Sequence, residues 1–117
     1  MTKRRRTDVQ HLDDAVEHLR VLQEHLTRGS LDDALVRDAV SHRLEVAIDA
    51  VGRVDNDLIQ VEAPADWPKI VGMRNMIAHQ YADFDTEILQ NTIDNRLAGF
   101  IELVDRLRSA AIAAERT

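Results

Sequence analysis

Aliphatic residues recur at three- and four-residue steps along nearly the whole chain, and that periodicity fits long α-helices and little else. Val9, Leu12, Val16, Leu19, Leu22 and Leu26 make one stripe, from residue 7 or 8 to residue 28. Leu35, Ala39, Leu44, Ala47, Ile48, Val51, Leu58 and Val61 carry a second, from residue 31 to about 61. Ile93, Leu97, Phe100, Val104, Leu107 and Ala111 carry the last, which starts at an N-cap Asp85 and runs to about residue 114. Punctuation is sparse, with four Gly and two Pro in 117 residues. Gly29 closes the first helix, Ser30 and Asp33 offer N-cap oxygens to the second, and Pro64 ends it. Gly52, inside the second stripe, marks a close helix contact or a kink. The pattern predicts an all-α, up-and-down antiparallel helical bundle of three long helices and one short one. Residues 1–117 then form a single domain, with 1–7 as a basic tail.

Composition removes several function classes. There is no Cys, hence no disulfide and no thiolate metal site. His11, His18 and His25 recur every seven residues, but seven residues rise about 10.5 Å, too far for two ligands of one ion. Neither a metal nor a cofactor is expected. No apolar run approaches the ~20 residues of a membrane span, and no signal-peptide core follows the basic start. The expectation is a cytoplasmic protein that does not engage membranes. A net charge of −6 argues against a broad nucleic-acid footprint. Lys3 to Arg6 is the one dense basic cluster and reads as a solvated tail. Arg96, Arg106 and Arg108 are candidate phosphate contacts that solvated helix faces explain equally well.

Chemistry concentrates between Trp67 and Tyr81, in WPKIVGMRNMIAHQY. A helix over residues 69–80, with Pro68 in its first turn, stacks Asn75 and His79 on one face. Arg74 and Tyr81 share another stripe. Arg74 and His79, five residues apart, point about 140° from one another. Either the arginine side chain wraps round the helix, or the two groups meet across two chains related by a two-fold axis. Metal-free cleavage of a phosphate ester needs a general base, a general acid and a cation for the charge developing on phosphorus. His79 suits proton transfer near neutral pH, and Arg74 suits phosphate. Asn75 can fix the imidazole tautomer or touch phosphate. The plain structural account has Arg74 on a bundle surface, Asn75 on backbone and His79 as a helix C-terminal cation.

The arrangement Arg74-x4-His79-x-Tyr81, with Asn75 directly after the arginine, resembles the signature of HEPN-domain ribonucleases, and more narrowly of the HepT-like toxins. RLEVAIDAVGRV, residues 43–54, resembles a further stretch of that family, although Ile48-Asp49 stands where a Gly-Glu pair is usual. Asp49 there could orient Arg74 or His79, or be a surface carboxylate. The resemblance spans roughly residues 8–110 and implies a homodimeric, metal-independent endoribonuclease. Its products would be a 2′,3′-cyclic phosphate and a 5′-hydroxyl. Arg74, His79 and Asn75 would be catalytic. A minimal nucleotidyltransferase antitoxin would be the partner and would adenylylate Tyr81. The alternative is a non-catalytic HEPN module that binds a nucleotidyltransferase or a nucleotide.

Overall fold

The computed structural model describes residues 6–79 and 86–116, except the side chain of His79. The described residues form six α-helices: α1 (Asp8–Leu26), α2 (Ala34–Gly52), α3 (Asn56–Glu62), α4 (Asp66–His79), α5 (Thr86–Asn95) and α6 (Leu97–Glu115). Polar caps set the starts. Thr7 Oγ1 accepts from Gln10 N at 3.1 Å, while Gln10 Oε1 accepts from Thr7 N at 2.8 Å, closing a capping box on α1. Asp33 caps α2 through Leu35 N at 2.9 Å, and Asp55 caps α3 through Asp57 N at 2.9 Å. The expected cap Asp85, the tail residues before Arg6, and Tyr81 lie outside the described residues.

α1, α2 and α6 form the body of the bundle. Leu12, Ala15, Leu19 and Leu22 of α1 are buried against Val40, Leu44, Ala47 and Val51 of α2 and Phe100, Val104 and Leu107 of α6. The helices alternate in direction. Asp8 meets Asp55 and His18 meets Arg43, so α1 and α2 are antiparallel. Arg108 Nε donates to Asp13 Oδ1 at 2.7 Å, and α6 also closes on α3. The expected all-α bundle is therefore the one observed.

The expected second helix is divided. Gly52 is the last residue of α2, Arg53 and buried Val54 turn the chain, and α3 begins after Asp55. An aspartate whose carboxylate bonds the backbone two residues on favours a fresh helix start over continuation. The last helix is also divided, at Arg96 (φ −125°, ψ −23°). Arg96 N still donates to Thr92 O at 2.9 Å and Phe100 N to Arg96 O at 3.1 Å, so α5 and α6 make one bent rod. Bending keeps Leu89 and Leu97 both on the core side. Three residues assigned to the apolar seams face water instead: Val16, Leu35 and Val61, the last two 81% and 77% exposed. Each sits one position off the truly buried stripe or on a terminal turn.

His18 is the polar tie between α1 and α2. Arg43 Nη1 lies 2.9 Å from its Nδ1, so the ring accepts there and is neutral. Burial first, and the Arg43 charge second, hold its pKa below the ordinary value near 6.5, against the opposing pull of Asp14. In the unfolded chain His18 takes up a proton near pH 6.5, while the folded chain resists until lower pH. Stability from this group is full above that value and falls as the medium acidifies. The urea midpoint of the wild type should drop between pH 7 and pH 5. His18→Gln, which keeps an acceptor for Arg43, should drop less, and equal drops would refute this account.

Candidate active site

α4 packs chiefly on α2, and the two run antiparallel. At the start of α4, Trp67 lies over Gly52 at the end of α2: a Cβ on Gly52 would sit 3.6 Å from Trp67 Cζ2. Two turns on, Arg74 reaches back to α2. Its Nε donates to Asp49 Oδ1 at 2.7 Å and its Nη2 to Asp49 Oδ2 at 3.0 Å, a bidentate pair. Glu45, one turn earlier on α2, brings Oε1 to 3.3 Å from Nη2. The Asp49 hydrogen bond chiefly raises the guanidinium pKa, against partial burial, so Arg74 is charged at every physiological pH.

Between the two helices runs an open groove of about 420 Å³. Trp67, Val71, Arg74 and Asn75, at i, i+4, i+7 and i+8, form its α4 wall. Ile48, Asp49 and Gly52 form the α2 wall, and Arg53 closes one end. Asn75 is exposed in this groove. Trp67, Ile70, Met73 and Ile77 face the bundle core on the adjoining side of α4, yet none of residues 66–78 is fully buried.

Of the residues singled out in sequence, Arg74 and Asn75 are brought together on the groove. His79 is the final residue of α4, on an uninterrupted helix from Arg74, so the backbone directions of the two differ by about 140°. The His79 side chain and all of Tyr81 lie outside the described residues. Arg108 is tied to Asp13, and Arg106 Nε approaches Glu62 at 3.9 Å, both on α6 and away from this groove. Asp49 is not a free surface carboxylate: it is the main partner of Arg74. Glu45 was not anticipated. Its spacing of four from Asp49 put both acids on one face of a helix, the signal that could have found it.

The chain matches the HepT-like ribonuclease family over residues 12–107. No curated protein and no solved structure matches it.

Arg74 separates two carboxylates that would otherwise face each other across one turn of α2. Arg74→Met should therefore destabilise the fold, and adding Asp49→Asn should recover much of the loss. A double-mutant cycle on urea unfolding should return a coupling on the order of 1 kcal/mol, modest because the pair is partly solvated. A coupling near zero would show that the pair holds nothing together.

Proposed function

Because this chain belongs to the HepT-like ribonuclease family, which it matches over residues 12–107, we propose that it is a metal-independent endoribonuclease toxin. In this reading it works as a homodimer and is neutralised by a minimal nucleotidyltransferase antitoxin. The observation that carries it is Arg74 held rigidly beside Asn75 on an open groove, five residues before the only histidine of the motif helix. Such a cation, fixed in direction before substrate arrives, costs no reorganisation when charge develops on phosphorus.

The 2′-oxygen of RNA attacks the adjacent phosphorus, and the bond from phosphorus to the 5′-oxygen breaks. A base takes the 2′-OH proton, and an acid returns one to the 5′-oxygen. The products are a 2′,3′-cyclic phosphate and a 5′-hydroxyl. His79 serves the proton transfers, Arg74 the phosphorane oxygens, and Asn75 the imidazole or the phosphate. The 140° between Arg74 and His79 favours a site shared by two copies of α4 about a two-fold axis. The packing of α4 supports the same conclusion: Met76 is 44% exposed, and no residue in 66–78 is buried in the single chain.

Tyr81 follows His79, the last residue of α4, by two residues in the sequence, and we propose it as the residue that the nucleotidyltransferase modifies. A nucleotide attached to its hydroxyl would bring phosphate charge to the cleft and compete with RNA for Arg74.

Purified protein should cleave single-stranded RNA in excess chelator, and His79→Ala should slow cleavage about 10²-fold or more. Loss of activity on chelation, with recovery on adding a divalent ion, would defeat the mechanism. Co-expression with the cognate nucleotidyltransferase should add AMP units to the intact mass of the wild type and none to Tyr81→Phe. An adduct that persists in Tyr81→Phe would remove this residue from the scheme.

A further inference from the structure

The end of the α2–α4 groove farthest from Arg74 holds features that phosphate transfer does not use. Trp67, the chain's one tryptophan, is half-buried against the core, with one edge of the indole over Gly52, and also lines the groove. Arg53 caps the C-terminus of α2 beside it and is exposed. Among the described residues, the Arg53 side chain, like those of Lys69, Arg96 and Arg116, makes no ion pair and no hydrogen bond, and of these it is the one that lines the groove. A helix C-terminus accounts for a cation at this position, but not for a partly exposed indole next to it.

We propose that Trp67, Gly52 and Arg53 form a subsite for one nucleotide of single-stranded RNA, its base on the indole and its phosphate on Arg53. The assignment rests on the ribonuclease reading for the source of the ligand. Stacking on an aromatic ring beside a cation is how unpaired bases are held with little sequence preference. Gly52 keeps the space open. Its Cα backs the ring edge, and a side chain longer than a methyl would project into the groove. A volume of about 420 Å³ falls within the range of small-ligand sites. Trp67 and Arg74 are seven residues apart on one helix, about 10.5 Å along its axis. A base on the indole therefore belongs to a nucleotide flanking the one whose phosphate meets Arg74. A protein segment is a poorer occupant, because beyond the Arg74–Asp49 pair the groove offers one arginine, one amide and a single aromatic ring.

The lone tryptophan makes the test direct. The full-length wild type is titrated with a 2′-O-methylated hexanucleotide, which lacks the attacking hydroxyl and stays intact, while tryptophan emission is followed. Saturable quenching is expected. Arg53→Gln should weaken the midpoint about fivefold at low salt, as loss of one phosphate contact does. Gly52→Leu should abolish the quench while circular dichroism confirms an intact helical fold. Free 5′-AMP should quench at least tenfold less tightly, and an equal affinity would overturn the RNA assignment in favour of a free nucleotide. The proposal also fails if fluorescence anisotropy shows the labelled oligonucleotide bound while emission is unchanged. It fails equally if both variants quench like the wild type, or if emission shifts only with protein dilution, which would mean a second copy covers the groove. Cleavage of unmodified RNA is scored in parallel. Cleavage without quenching sinks the subsite alone, and quenching that responds to both variants without cleavage sinks the ribonuclease reading alone.

Discussion

The position of the motif helix hangs on one neighbour. α4 packs chiefly on α2, and two contacts pin it: Trp67 against Gly52 at one end, Arg74 against Asp49 and Glu45 at the other. α2 can serve as that reference because its opposite side is locked into the bundle by Val40, Leu44, Ala47 and Val51, all at most 1% exposed. The Arg74 contact lies 25 residues away in sequence and is only partly solvated, so it fixes direction more than it adds stability. A weakly buried helix guided by a bidentate pair is free to accept further packing on its outer side. A fully buried helix would not be.

Faces were more legible in the sequence than breaks. The 3.6-residue period identified Leu12, Leu19, Leu22, Leu44, Ala47, Ile48, Val104 and Leu107 as inward, because each recurs within a long uninterrupted turn pattern. It misplaced Leu35 and Val61, which belong to first and last turns, where the stripe has no continuation to fix its phase. The two breaks escaped for a related reason. Asp55 and Arg96 interrupt helices whose apolar spacing carries on across them, so periodicity alone reads a single rod. Gly52 was suspected of a close contact or a kink and serves near both: it touches Trp67 and ends α2.

The site divides along the same line. Arg74, Asn75 and His79 are close in sequence and stood out as polar groups in an apolar segment. The i, i+4 spacing of Glu45 and Asp49 hints at an acidic face, but which cation that face meets, like the roles of Arg53 and Trp67, depends on a pairing between helices. Their meaning appears only when α2 and α4 are laid side by side. Arg53 in particular looks like any surface cation until the groove beside Trp67 is seen.

Counting donors on Arg74 then limits what one copy can do. A guanidinium has five N–H groups. Asp49 occupies Nε and one hydrogen of Nη2, and Glu45 faces the other hydrogen of Nη2. Both hydrogens of Nη1 are left for a further acceptor. Charge is another matter, because two carboxylates within 3.3 Å outweigh one guanidinium. The immediate surroundings of Arg74 are thus net negative, and a phosphate gains little Coulomb attraction there from this chain's arginine alone. Arg53 lies at the other end of the groove. The tight acidic clamp that makes Arg74 precise is therefore the same feature that limits how strongly its charge alone can attract an anion.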